Sequence, residues 1–307
     1  MLSFLLAALL PWLYWDHGPA TAPTVKNADI ERLYVPADQV AAWKSQGFAA
    51  QAFDAAKFVK LPAPGVEYKM NVAAATSLPW VDANGWRFAR DGSHAYYYEA
   101  PWRKAALAAA EAYAYNVDAA IHIDTRDVAA FGKMLAFLRS IDGPRLPVMA
   151  NIGIIDNGSD EEGEVLNLMA RRNLLFRVIP APDPKYDLNV QIGTKDFPQA
   201  EASDPFAFAT LVRQKLTDEK RFLRLYGSDV VLAHLTGDGE QLRAHLINYG
   251  GGKVEGLRVR VRGEYAHGTL EAFGILKAAL ADYGASEGAT EFTIPELGVY
   301  AVVDMKK

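Results

Sequence analysis

The chain contains no cysteine, which excludes disulfide staples and thiolate metal sites and leaves burial of apolar surface as its means of stabilisation. No Lys/Arg-rich run occurs and the formal net charge is −5, so neither a nucleic-acid backbone nor an anionic membrane meets an electrostatic footprint. No apolar stretch reaches the about 20 residues of a membrane-spanning helix. There is no G-x-G-x-x-G, no Walker lysine and no His-x-x-x-His spacing, so nucleotide, cofactor and zinc chemistry have no motif to rest on. Internal repeats and low-complexity linkers are missing as well.

What is present is a sequence of 307 residues, half of them hydrophobic, enough for two or three modest domains with their own cores. It opens on Met1-Leu-Ser-Phe-Leu-Leu-Ala-Ala-Leu-Leu-Pro-Trp-Leu-Tyr-Trp15, followed by small residues up to Ala20-Thr-Ala22. An apolar run ahead of an Ala-x-Ala spacing predicts a secretory signal over residues 1–22 and a periplasmic or secreted protein.

Periodicity divides the rest. Residues 30–35 read as a strand, 38–46 as a short helix and 65–72 as a strand behind a Pro/Gly turn. An alanine-rich helix over 104–115 runs into a buried strand over 117–124, and a further helix covers 127–140. Strand, helix, strand implies a parallel α/β sheet or part of a barrel. After Gly143-Pro144 a second α/β region starts with a strand over 147–155 and continues with a helix over 163–173 and strands over 174–179 and 187–192. A long helix is predicted over 204–225, with Pro205 in its first turn. From residue 229 the period is mainly 2, as expected of antiparallel strands.

The final third carries His245-Leu-Ile-Asn248-Tyr249, then Val254-Glu-Gly-Leu-Arg-Val-Arg-Val261 and Phe292-Thr-Ile-Pro-Glu-Leu-Gly-Val-Tyr-Ala-Val-Val303. This block resembles the β-sandwich that ends many multidomain glycoside hydrolases. With residues 105–124 and 148–156 it makes the chain similar, in order of elements, to the carboxy-terminal half of β-galactosidases that carry a trimerisation domain. The resemblance implies a partial barrel-like or layered α/β region over 23–143, a flavodoxin-like α/β domain over 144–228 and an antiparallel β-sandwich over 229–307. It further implies an oligosaccharide or polysaccharide partner, no cofactor, and self-association as a trimer or dimer. A retaining glycosidase uses two carboxylates roughly 5–5.5 Å apart. The family's Asn-Glu dipeptide is absent here, and no acid stands at residues 72–76, where its nucleophile would fall. The alternative reading is therefore a non-catalytic sugar-binding or assembly protein.

The candidate site lies in Pro79-Trp80-Val81-Asp82-Ala83-Asn84-Gly85-Trp86-Arg87. Trp80 and Trp86 offer flat apolar faces, and Asp82, Asn84 and Arg87 offer acceptors and donors for hydroxyls. Asp82 is the first choice for a catalytic carboxylate. His122 and Asp124 end a strand two residues apart and so share a face, which makes Asp124 the second choice and His122 a binding residue. Tyr96, Tyr97, Tyr98 and Glu99 can line the same cleft or simply form an aromatic strand. Glu111 is expected on a solvated helix face. The acidic loop 156–164 reads as helix-terminal acids rather than a calcium or nucleotide site. Gly284-Ala-Ser286-Glu-Gly288 matches G-x-S-x-G outside a strand-to-helix context, which makes it a loop.

Overall fold

The computed structural model describes residues 9–67 and 79–307. The chain divides between two units, one of residues 1–65 and 92–145 and the other of 66–91 and 146–307. The first unit begins with β1 (Trp12–Tyr14), α1 (Ala22–Asn27), β2 (Arg32–Val35), α2 (Val40–Ser45), β3 (Ala49–Ala52) and β4 (Phe58–Leu61). The chain then leaves through β5 (Gly65–Glu67), β6 (Trp80–Asp82) and α3 (Gly85–Arg90). It returns for β7 (Ala95–Ala100), α4 (Ala105–Ala114), β8 (Asp118–Ile123) and α5 (Val128–Ser140).

The six strands of this unit are hydrogen-bonded in the order β3-β2-β1-β8-β7-β4, and every pairing is parallel. That order is a ring of strands taken in chain sequence and opened between β3 and β4. Only residues 53–57 join those two strands, too few for the crossover that a hydrogen-bonded parallel pair requires. The sheet nevertheless curls. Phe53, just beyond β3, has its ring 5.0 Å from that of Tyr97 on β7, whereas a flat sheet would hold strands four places apart at about 19 Å.

Residues 1–22, read from the sequence as a leader, contain the central strand. Leu13 pairs with Leu33 on one side and Ile121 on the other, and Leu13 and Trp15 are buried. Period 2 sends these two side chains into the apolar layer, where burying each contributes about 1.5–3 kcal/mol. Trp12–Tyr14, inside the segment expected to end at residue 22, is thus a strand of the parallel sheet. Glu111 is corrected too. Helix α4 carries alanine on every side and is buried nearly all round, Glu111 included, and this carboxylate accepts a 2.8 Å hydrogen bond from Tyr98 Oη.

The second unit holds β9 (Ile152–Ile155), α6 (Asp160–Arg171), β10 (Phe176–Val178), β11 (Leu188–Gln191), α7 (Gln199–Ala202) and α8 (Pro205–Leu216). A three-stranded parallel sheet, β10-β9-β11, shares its core with Val165, Met169, Phe208 and Val212 of α6 and α8. Residues 66–91 belong here rather than with the barrel-like region, and Trp86 of α3 sits in this core. The strand expected over 147–155 is interrupted. Val148 bridges to Thr236 and Met149 N donates to Leu235 O, and the parallel strand starts only at Ile152.

The helix expected over 204–225 is α8 alone. Asp204 caps it by accepting from Phe206 N and Ala207 N, and it stops at Thr217, whose φ of 64° leaves the helical region. The remaining residues turn into β12 (Leu223–Tyr226), which opens the all-β part. There follow β13 (Val231–Gly237), β14 (Gln241–Asn248), β15 (Val254–Arg262), β16 (His267–Ala272), β17 (Ala281–Ser286), β18 (Ala289–Leu297) and β19 (Tyr300–Lys306). They form two antiparallel sheets, β12-β15-β18-β17 and β13-β14-β19-β16. Leu246, Val259, Phe292 and Val303 from the two sheets meet in one core, as expected of a sandwich. Of the strand expected over 65–72, β5 ends at Glu67 and the remainder lies outside the described residues, as do 72–76.

Candidate functional site

Alternation sorts the strands of the parallel sheet into two faces. Leu13, Leu33, Val35, Tyr96, Tyr98, Ala119 and Ile121 are buried on one. Trp12, Tyr14, Tyr34, Tyr97 and His122 hold the other and are half-buried. Each strand, or for β3 the residue just beyond it, brings a ring to this second face. Tyr14 stacks on Phe53 at 4.1 Å and lies 5.2 Å from His122 and 6.0 Å from Tyr97. Phe58 closes the group against Phe53 at 5.1 Å and Tyr34 at 5.3 Å, and Trp12 lies 5.0 Å from Tyr34.

Charged groups stand at the carboxyl ends of these strands. Asp16, two residues past β1, has Oδ1 3.3 Å from His122 Nε2. Glu99, level with His122 on the neighbouring strand, is paired with Lys60 of β4. The hydrogen bond from Lys60 holds the Glu99 carboxyl below the usual range. Burial pushes the Tyr97 phenol up to about 12, with Glu99, Tyr14 and Asp16 adding to the effect, so Tyr97 stays neutral and can both donate and accept.

Asp124 accepts from Arg126 through the backbone N–H at 2.9 Å and from its guanidinium at 2.8 and 2.6 Å. These bonds hold its carboxyl well below the ordinary value. Asp124 therefore caps the turn leading into α5, and Glu99 and Asp124 are both ionised at neutral pH. The face offers aromatic planes flanked by fixed acceptors and donors, a combination suited to a ligand with apolar ring faces and many hydroxyls.

The sequence expectation centred elsewhere. His122 and Asp124 belong to the first unit, while Trp80, Asp82, Asn84, Trp86 and Arg87 belong to the second. Trp80 Nε1 donates to Asp82 Oδ1 at 3.0 Å, and the Arg171 guanidinium lies 4.1 Å from the Trp80 ring. Burial and Glu67 raise the Asp82 carboxyl, against the hydrogen bond from Trp80 and the charges of Arg171 and Arg87. Trp86 is 8% exposed and Asn84 is fully buried. Arg87 donates to Asn84 Oδ1 at 3.2 Å and stacks 4.2 Å from the Trp86 ring. Trp86 thus packs in the core of the second unit, and Asn84 is buried at the start of α3.

The acidic loop has its own account. Arg90 clasps Asp156 at 2.5 and 2.7 Å, Glu162 accepts from Asn157 N at 2.5 Å, and Ser159 caps α6. The G-x-S-x-G match spans the β17–β18 hairpin, where Ser286 pairs with Ala289 and Glu287 and Gly288 take positive φ, the pattern of a two-residue hairpin turn. Sequence reasoning did not select Tyr14, Asp16, Tyr34, Phe53, Phe58 and Lys60, which the structure brings together here. The available signal was the run Trp12-Leu-Tyr-Trp15, whose alternation is that of a strand.

Parallel barrel-like sheet, second α/β layer and sandwich together make a glycoside-hydrolase-like fold. Among solved structures, α-L-fucosidase isoenzyme 2 from Paenibacillus thiaminolyticus matches with a TM-score of 0.54 at 9% identity, over 72% of this chain and 62% of that one. A rhamnosidase from Novosphingobium sp. PP1Y matches at 0.47 and 11% identity, over 94% and 38%. Gan42B, a GH42 beta-galactosidase of G. stearothermophilus, matches at 0.39 and 11%, over 96% and 60%. The chain thus spans about three fifths of the fucosidase and beta-galactosidase chains. No protein-family model matches the sequence, and no curated protein matches it significantly.

Proposed function

We propose that this protein binds a carbohydrate on the aromatic face of its parallel sheet. The observation that carries the reading is the convergence of Tyr14, Tyr34, Phe53, Phe58, Tyr97 and His122, one from each strand or its immediate end, beside Asp16 and Glu99. Saccharide rings stack on such planes, and ionised carboxylates accept from their hydroxyls. The fold shared with the fucosidase supports the same class of ligand.

Fluorescence titration with a panel of oligosaccharides tests the reading. At least one sugar is expected to bind, with Tyr97→Ala and Tyr14→Ala each weakening it tenfold or more. Lack of response to every sugar, or equal binding by the tyrosine variants, refutes it.

A second reading, glycoside hydrolysis, draws on Asp82. Its carboxyl is raised by burial and by Glu67, the direction a general acid requires. A screen of aryl glycosides with the wild type and Asp82→Asn decides it. Turnover lost in the variant supports the role, and absence of turnover in both removes it. Export and self-association belong to this proposal as well. A signal cleavage that keeps β1 falls ahead of Trp12 and not after Ala22.

A further inference from the structure

We infer that the saccharide bound on this face is acidic and that Arg103 reads its carboxylate, an inference that rests on the carbohydrate reading above. Arg103 lies in the turn after β7, four residues beyond Glu99. Its φ of 71° is a left-handed conformation that costs a non-glycine residue free energy. What holds it there is Asp127, 4% exposed, whose Oδ2 accepts the Arg103 backbone N–H at 2.5 Å. A strained residue fixed by a buried carboxylate at the rim of a site is a recurring mark of ligand contact.

The side chain is poised in the same way. The Arg103 guanidinium stacks 4.1 Å from the ring of Trp102, which is 45% exposed, and Arg126 stacks 4.4 Å from that ring. Arg126 is neutralised by its twofold bond to Asp124. Among the described residues no carboxylate pairs with the Arg103 guanidinium, so its planar fork is left for an anion that can accept two parallel bonds. The first turn of α4, which follows directly, has neither a side-chain cap nor an acidic residue, and its backbone N–H groups add positive potential there.

The corner lies at the carboxyl ends of two strands of the aromatic face, β7 and β8. Trp102 and Arg103 stand in the turn that leaves the carboxyl end of β7, and Asp124, which holds Arg126, directly follows β8, the neighbouring parallel strand; these two strands bring Tyr97, Glu99 and His122 to the aromatic face. A uronic-acid residue can therefore direct its carboxylate to Arg103 while neighbouring rings meet Tyr97 and Tyr14.

Isothermal titration of the full chain with a galacturonate trisaccharide and with its carboxyl-reduced neutral counterpart, at two salt concentrations, tests this. The wild type is expected to bind the acidic sugar at least tenfold more tightly, with the preference shrinking as salt rises. Arg103→Gln, and Arg103→Gly as a variant that relieves the backbone strain, should bring the two sugars within threefold of one another while keeping the neutral affinity. Equal wild-type affinity for both sugars overturns the role of Arg103 and leaves the carbohydrate reading standing. An acidic preference that survives both substitutions also overturns it. Binding of neither sugar, nor of any in the wider panel, overturns both.

Discussion

The ring of Phe53 lies 5.0 Å from that of Tyr97 although three strands separate β3 from β7 in the sheet. This contact and the stacking of Phe53 on Tyr14 tie the open end of the strand ring to its opposite side. Phe53→Ala is expected to cost about 2 kcal/mol, below the range for a fully enclosed phenylalanine because Phe53 is only half-buried. Denaturant titration reads the loss, and a variant as stable as the wild type would show that the curl does not depend on this ring.

Deletion of residues 1–22 is expected to abolish folding of the parallel sheet. It removes β1, which lies between β2 and β8, together with Leu13 and Trp15. Circular dichroism and thermal melting of the shortened chain check this. A cooperative transition for the first unit equal to that of the full chain would contradict the central place of β1.

Arg90→Ala should destabilise the second unit by about 3 kcal/mol at neutral pH, because it strands the Asp156 carboxylate beside Glu162. Burial raises the Asp156 carboxyl, but the bonds from Arg90 and from Gly158 N outweigh it and leave the group below its ordinary value. Its contribution is then full above the unfolded value near 4 and is lost as pH falls through the lower folded value. The gap between wild type and variant should accordingly narrow towards pH 3 in urea titrations. A gap independent of pH would mean that Arg90 acts through packing.

His234 and His245 face each other across β13 and β14 with rings 6.0 Å apart. His245 Nδ1 shares a 2.6 Å hydrogen bond with Tyr300 Oη. Burial lowers His234 to about 4 and pushes His245 well down, with His234 and Arg243 contributing. Below about pH 6.5 the unfolded chain takes up protons that the folded chain refuses, so stability falls as pH drops from 6.5 towards 4. The slope is up to about 1.4 kcal/mol per pH unit for each histidine. His234→Asn should flatten this slope relative to the wild type in chemical denaturation at pH 7, 6 and 5; equal slopes would refute the assignment.

Local pattern was enough for much of the architecture. The alternation in Val254-Glu-Gly-Leu-Arg-Val-Arg-Val261 places Leu257, Val259 and Val261 in the sandwich core, and Asp204-Pro205 marks the start of α8. The site was less legible. His122 was selected for standing at a strand end, and the structure places it on the aromatic face. Trp80 and Trp86 were selected for composition, yet composition is the same for a tryptophan that packs a helix and for one that faces a ligand.

The sequence by itself determined the type of its strongly periodic segments, such as α5, α6 and the strands of the sandwich, because propensity and period are properties of neighbours along the chain. Only the tertiary structure decided that Trp12-Leu-Tyr-Trp15 is a central strand, that residues 66–91 belong with the second unit, and that Glu111 is buried. It also brought Tyr14, Tyr34, Phe53, Phe58, Tyr97 and His122 onto one face. These residues span more than a hundred positions, and the curl that joins them depends on long-range strand pairing, which no local window contains.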